Sequence, residues 1–314
     1  DSMSRAGNGG TNRILLTRPN GTDQRPLIED HSNALPGRSR TSWTLAIGLQ
    51  DLDGDLRPEI YLANDFGPDH LLQNVSAWGE LRLVEVTGDR SLFTPKSKTL
   101  GRDSFKGMGV TFTRLDEAAT PSILVSNITS EQALQESNLA FVPTSEAAPG
   151  EVPAFRDASE RLGLSRSGWS WDLQAVDLDN DGIEEIAQAT GFLQGDVDRW
   201  PELQELAMAN DGVLRHPALW PHFEVGDDLS GHEPNRLWKR AADGRFYDVG
   251  SATGFDARTP SRGIAVGDVD GDGLADLVVA NQWAGSTLYL NRTASVGPVA
   301  VVDVRMALAD GGHR

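Results

Sequence analysis

Three short segments concentrate carboxylates at one spacing: Asp51–Asn64 (DLDGDLRPEIYLAN), Asp177–Thr190 (DLDNDGIEEIAQAT) and Asp268–Asn281 (DVDGDGLADLVVAN). Each carries aspartate at positions 1, 3 and 5 and an acid at position 9. Four carboxylates on nine residues repel one another unless a cation lies among them. A hard divalent cation such as calcium takes about six to eight oxygens at roughly 2.3–2.6 Å. The carboxylates converge only if the backbone coils tightly, which a glycine at position 6 permits. Position 7 offers its carbonyl and the acid at position 9 closes the site, a compressed relative of the helical calcium hand. The first site would use Asp51, Asp53, Asp55, the carbonyl of Arg57, and Glu59. The second would use Asp177, Asp179, Asp181, the carbonyl of Ile183, and Glu185. The third would use Asp268, Asp270, Asp272, the carbonyl of Leu274, and Asp276. About three structural calcium ions are the expectation. Leu56 stands where the first loop needs glycine, which predicts a strained turn there.

These loops need rigid elements on both sides. Each runs into an apolar stretch of strand character. A worn fourth copy, Gly109–Asn127 (GVTFTRLDEAATPSILVSN), matches Gly263–Asn281 (GIAVGDVDGDGLADLVVAN) in length, with Arg114 at position 1 and Asp116 kept at position 3. Either the Arg114 guanidinium replaces the ion by pairing with Asp116, or it is an exposed arginine on a lost site. From 51 to 114 and from 114 to 177 the step is 63 residues, and from 177 to 268 it is 91. Further elements recur: asparagine-led strands from Asn12, Asn138 and Asn235, phenylalanine-acid segments at Ala154–Leu164 and Arg245–Phe255, and closures at Leu71–Asn74 and Leu288–Asn291. Each unit reads as about four strands, which cannot cover both faces alone and must stack on its neighbours. The fold class is therefore all-β, a β-propeller of four-stranded blades. Strands of the first unit are expected within the first 50 residues.

At these residues the chain resembles the VCBS/FG-GAP repeat family, the propeller repeats also found in integrin α chains, from about Asn12 to Asn291. It is similar more closely to bacterial cartilage-acidic-protein-like proteins with an ASPIC/UnbV C-terminal domain. That likeness rests on NDFGPDHLLQN (Asn64–Asn74), TPKSKTLGRDSFKGMGV (Thr94–Val110), SNITSEQALQES (Ser126–Ser137) and RWPELQELAMANDG (Arg199–Gly212). The tail Pro298–Arg314 resembles the opening of an ASPIC/UnbV domain. The resemblance divides the chain into a propeller over residues 1–292, with an insertion at 193–235, and a truncated ASPIC/UnbV-like segment at 293–314. It implies calcium and about seven blades in a full propeller, whereas four loops are legible here and the blade number stays open. Family members occur in actinobacterial gene sets for enediyne-type polyketides, and others are extracellular interaction proteins.

The insertion between Phe192 and Asn235 holds a helix expected over Asp198–Ala209 and a stretch with half the histidines of the chain. His222, Asp227, Asp228, His232 and Glu233 are the candidates for acid–base or metal chemistry there, although a loop packed by Trp200 and Trp220 is the preferred reading. Thr94–Gly109 gathers Lys96, Lys98, Arg102 and Lys106, a basic loop that is either solvated or an anion or partner site. Asn20, Asn74, Asn127 and Asn291 head Asn-x-Ser/Thr triplets, which arise often by chance. No GxSxG or HExxH motif is present.

With 28 Lys+Arg against 46 Asp+Glu the net charge is −18. That argues against nucleic-acid partners and against adsorption to anionic membranes, and no apolar run is long enough to span a bilayer. The absence of cysteine removes thiol catalysis and disulfides. The chain starts Asp1-Ser2-Met3, without initiator methionine or leader pattern, and reads as a piece of a longer protein. An extracellular or cell-envelope setting in a bacterium is favoured over the cytoplasm. Function is expected to be that of a calcium-stabilised interaction or scaffold module with a protein or glycan partner. The alternatives are an enzyme or accessory factor in enediyne-type polyketide biosynthesis, with a small-molecule substrate, and a spacer domain.

Overall fold

In the computed structural model, which describes residues 3–18, 27–90, 92–116, 118–130, 134–146, 148–208 and 216–293, every acidic loop is the turn of an antiparallel hairpin. The segment 294–314, and with it the ASPIC/UnbV-like tail, lies outside the described residues. A separate two-stranded sheet comes first, β1 (Leu15–Arg18) against β2 (Leu27–Asp30). The first 50 residues thus supply this hairpin and only one strand of the first blade. That blade is β3 (Thr44–Gln50), β4 (Glu59–Asn64), β5 (His70–Asn74) and β6 (Leu83–Val86). The second is β7 (Gly109–Thr113), β8 (Ser122–Ser126), β9 (Leu139–Pro143) and β10 (Phe155–Asp157), followed by the single-turn helix α1 (Ser159–Leu162). The third is β11 (Ser170–Val176) and β12 (Glu185–Thr190), completed after the insertion by two strands at Arg236–Arg240 and Phe246–Asp248.

The insertion between them is more ordered than a loop. It contains β13 (Val197–Asp198), helix α2 (Trp200–Met208) and β14 (Asp227–Asp228), which pairs in parallel with β13. The helix starts where Asp198 Oδ1 accepts the Trp200 N–H at 2.9 Å, with Pro201 in its first turn. The sequence boundaries differ by two residues at the start because Asp198 caps the helix and pairs in β13; Ala209 lies outside the described residues. Trp200 and Leu203 pack against Trp169, Ile128 and Leu229, pinning the insertion to one end of the propeller. The chain then returns through β15 (Arg236–Arg240), β16 (Phe246–Asp248) and the turn α3 (Gly250–Thr253). The last blade has three strands among the described residues: β17 (Ser261–Gly267), β18 (Asp276–Asn281) and β19 (Thr287–Tyr289).

The result is a four-bladed β-propeller whose first strands pack in sequence order, β3 on β7, β7 on β11 and β11 on β17. Among the described residues that packing is not repeated to a comparable extent between β17 and β3. Between neighbouring blades lie three apolar layers. Tyr61, Leu71, Ile123 and Phe141 fill the first, Leu124, Leu173, Ile186 and Trp238 the second, and Ala187, Leu237, Ile264 and Val279 the third. A strand with blades on both sides must be apolar on both faces, so β8, β9 and β12 are buried at every residue.

The repeat makes the joints equivalent. Ile47, Val110, Leu173 and Ile264 hold one position of the first strand in the four blades. Leu173 and Ile264 are buried, whereas Ile47 is 59% exposed, because no described sheet covers that side of the first blade. Glycines receive these side chains. A Cβ on Gly48 would lie 2.6 Å from Phe112, and one on Gly109 would lie 2.4 Å from the Trp171 carbonyl oxygen. The phenylalanine-acid segments repeat as well. Asp157 Oδ1 accepts N–H bonds from Ala140 and Ser159, and Asp248 Oδ1 accepts them from Leu237 and Gly250.

Candidate metal centres and polar cavity

Each acid loop is shaped by its own carboxylates before any ion is considered. In the loop of the last blade Asp268 accepts the N–H groups of Gly271 (2.7 Å), Asp272 (3.2 Å) and Gly273 (2.9 Å), which winds the chain around the first aspartate. In the first loop Asp51 accepts from Gly54 (2.8 Å) and Leu56 (3.0 Å), and in the third-blade loop Asp177 accepts from Asp181 (3.1 Å) and Gly182 (2.9 Å). The acid at position 9 reaches back to the second loop residue in all three: Glu59 to Leu52 N–H, Glu185 to Leu178 N–H, and Asp276 to Val269 N–H.

Two left-handed positions make the coil, at loop positions 4 and 6. They are Gly54 and Leu56 (φ 73° and 69°), Asn180 and Gly182 (54° and 85°), and Gly271 and Gly273 (77° and 86°). The strain predicted for Leu56 is thus present, in a side chain that is 91% exposed and packs on nothing that would offset it. A left-handed non-glycine residue costs roughly 1–2 kcal/mol, part of which glycine returns as unfolded-chain entropy. Leu56→Gly should therefore stabilise the protein by about 1 kcal/mol. The check is the denaturation midpoint with calcium present, and an unchanged or lower midpoint contradicts the strain.

The donors converge. One carboxylate oxygen from each of Asp51, Asp53 and Glu59 lies within 4.8 Å of the others, as do those of Asp177, Asp179 and Glu185 and those of Asp268, Asp270 and Asp276. Such a trio, with the position-5 acid at its rim, suits an oxygen-seeking cation. Asp179 Oδ1 is buried without a hydrogen-bond partner, an oxygen lone pair turned inward.

Residues 225–279 match the model of the FG-GAP-like repeat, and residues 262–302 match that of the FG-GAP repeat. These matches cover the end of the third blade and the last blade and support an FG-GAP repeat family. No curated protein matches the chain. The three acid clusters could hold metal ions, consistent with calcium in FG-GAP propellers. The worn loop of the second blade differs from the salt-bridge expectation. Asp116 Oδ1 accepts the Ala118 N–H at 3.0 Å, and Arg114 is exposed and makes no ion pair with Asp116 among the described residues.

The acid loops differ in electrostatics. Burial pushes the Glu59 and Glu185 carboxyls above the ordinary glutamate value. Asp276 is held below the ordinary aspartate value by the N–H groups of Asn291 and Val269. Side-chain cations also reach in. Arg57 pairs with Asp55 in the first loop, and Arg292 lies 2.8 Å from Asp270 and 3.2 Å from Asp272 in the last. In the third blade Lys239 Nζ is 2.7 Å from Asp179, 2.6 Å from Glu185 and 3.6 Å from Asp181.

Three cations of the basic loop are engaged within the protein. Lys98 pairs with Asp157 at 3.1 Å, Lys106 with Glu136 at 2.9 Å, and Arg102 donates to the Gly88 carbonyl at 2.9 Å. The loop instead delivers Asp103 to the interior, which sequence reasoning missed. Asp103 Oδ1 accepts the Asp69 N–H (3.1 Å), and Asp69 accepts from Tyr61 Oη and Asn64 N, both at 2.8 Å. Burial lifts the Asp103 carboxyl to about 7 and the neighbouring Asp65 to about 6. The triplet asparagines are structural as well: Asn74, Asn127 and Asn291 donate through Nδ2 to the carbonyls of Pro58, Ser137 and Leu178, while Asn20 lies outside the described residues.

Of the insertion candidates, Asp228, His232 and Glu233 line one cavity of about 1000 Å³, together with Thr129, Ser130, Arg166, Ser167, Ser230, Arg236 and Trp238. His222 is exposed and does not line it. Asp227 is occupied by Arg199 (2.6 Å) and the Glu224 N–H (2.7 Å), which hold the insertion closed. Burial raises the Glu233 carboxyl, which accepts the Trp169 N–H and sits where a Cβ on Gly168 would be, 2.5 Å from Oε2. His232 Nε2 lies 3.0 Å from the Gly195 carbonyl oxygen and 3.3 Å from Asp228, and Nδ1 lies 3.1 Å from Gln194. Both ring nitrogens are thereby engaged. Among the described residues no serine or threonine hydroxyl is hydrogen-bonded to this imidazole, so no nucleophile–base pair forms here.

Proposed function

We propose that the protein is a calcium-stabilised interaction module whose partner is a glycan bound at the polar cavity between the second and third blades. FG-GAP propellers commonly serve protein interaction, and function resides in the loops at the ends of such a fold. Calcium would be held by the carboxylates of Asp51, Asp53, Asp55 and Glu59 and of Asp268, Asp270, Asp272 and Asp276, with the carbonyls of Arg57 and Leu274. The third-blade set (Asp177, Asp179, Asp181, Glu185 and the Ile183 carbonyl) has the same acids, two of them in close contact with Lys239. The ion's part is to offset clustered negative charge and fix the hairpins, without taking part in a reaction. The closer likeness to cartilage-acidic-protein-like proteins agrees with this reading through the stretches Asn64–Asn74 and Thr94–Val110.

One observation carries the choice of ligand: the cavity wall combines the exposed Gln135, Arg166 and His232 with Arg236, Asp228 and Glu233, over a floor of buried hydroxyls (Thr129, Ser130, Ser167, Ser230) that bond one another and the backbone. Donors and acceptors alternating along one concave wall suit a polyhydroxylated ligand. A glycan array screened with calcium present is expected to return a set of ligands whose binding falls at least tenfold in Arg236→Ala. Binding that is unchanged in that variant, or no glycan retained by the folded calcium-loaded protein, rejects the assignment.

A further inference from the structure

We propose that the third-blade loop supplies its own cation, Lys239, so that calcium dependence is confined to the first and last blades. The inference rests on the calcium reading of the other two loops. Lys239 lies on β15, and the register Ile186↔Trp238 places it opposite Glu185, the position-9 acid. From there its ammonium bridges Asp179 and Glu185 at 2.7 and 2.6 Å, with Asp181 3.6 Å away. Two of these three acids belong to the trio that converges in this loop. A calcium ion sharing those oxygens at about 2.4 Å would meet the ammonium at close range, where like charges repel strongly. Ion and lysine therefore exclude one another.

The corresponding positions elsewhere carry no charge. The register Ile60↔Leu72 puts Gln73 opposite Glu59, and Leu277↔Tyr289 puts Leu290 opposite Asp276. In those loops the second oxygen of the position-9 acid accepts a backbone N–H instead, from Asn74 (3.2 Å) and from Asn291 (2.8 Å). Their arginines are different in kind. Of the loop acids Arg57 pairs only with the one at position 5, its Nε donating to the Asn74 carbonyl, and Arg292 reaches Asp270 and Asp272 from a chain segment beyond β19 with 61% of its side chain exposed. Neither contacts the position-9 carboxylate, so each can swing aside when an ion enters. Lys239 stems from a strand paired with that of Glu185, and its ammonium is held by two acids of the convergent trio, including the position-9 acid. With the worn loop of the second blade, the two middle blades then close without metal.

Equilibrium dialysis against calcium should find two ions per wild-type chain and three in Lys239→Gln. Gln73→Lys, which transfers the lysine to the first loop, should lower the count to one. Hydrogen exchange of the wild type on adding chelator should rise over residues 51–64 and 268–281 and stay unchanged over 177–190. Three ions in the wild type, or faster exchange over 177–190 on chelation, overturns the inference and leaves the calcium reading intact. A wild-type chain that takes up no calcium overturns the calcium reading itself. An unaltered count in both variants, each folded by circular dichroism, also overturns the inference.

Discussion

Stripping calcium from the protein is expected to lower its melting temperature by about 10 °C or more. A ligand that binds only the folded chain stabilises it by about 3–4 kcal/mol per site at a hundredfold to thousandfold excess over its dissociation constant. For a chain of this size each kcal/mol shifts the midpoint by roughly 1.5 °C. The direction follows from the loops: without the ion, the convergent acids of the first and last loops are offset only by Arg57 and Arg292. Asp270→Asn removes one donor of the last trio while leaving the Asp268 and Asp276 backbone grips in place. It should abolish most of that loop's calcium uptake and reduce the chelator effect by about half. Differential scanning fluorimetry with EDTA, then with excess calcium restored, reads both effects. A melting curve indifferent to chelator contradicts the structural role of the metal.

The second large effect concerns a joint between blades. Gly109 and Gly263 hold the same repeat position, yet their surroundings differ. A Cβ on Gly109 meets the Trp171 carbonyl oxygen at 2.4 Å and Leu173 Cδ2 at 3.0 Å, whereas nothing lies within 4 Å of one on Gly263. The close atom at Gly109 is backbone, so relief requires the third blade to move away from the second. Overpacking of this kind costs about 1–3 kcal/mol. Gly109→Ala should therefore drop the midpoint by about 2–5 °C, while Gly263→Ala should be neutral or slightly stabilising. Equal effects in the two variants would show that the blades do not stack in the observed register.

The acid loops were the most legible part of the sequence because their geometry is local. The acids at positions 1, 3, 5 and 9 and both left-handed positions lie on one nine-residue turn, so spacing alone specifies them. The blades were legible for a related reason, since a unit that repeats in register must stack. Legibility ended where contacts span long sequence distances. Lys239 reaches Glu185 across 54 residues and the whole insertion, and Asp103 reaches Asp69 across 34. Neither residue stands out by type or spacing. The Arg114–Asp116 pairing failed because Asp116 satisfies itself on the Ala118 N–H, a local bond that competes with a long side chain's entropy. In the insertion the histidines drew attention by composition, but only Asp228, His232 and Glu233 share a cavity; Asp227 is taken up by Arg199 in holding the loop shut.

The sequential packing of β3, β7, β11 and β17 has a mechanical meaning. Among the described residues each blade leans on its immediate neighbours, so these blades behave as a linear stack in which stability is a sum of blade and joint terms. On chelation the first and last blades, which bear the metal-dependent turns, should open before the lysine-closed pair between them.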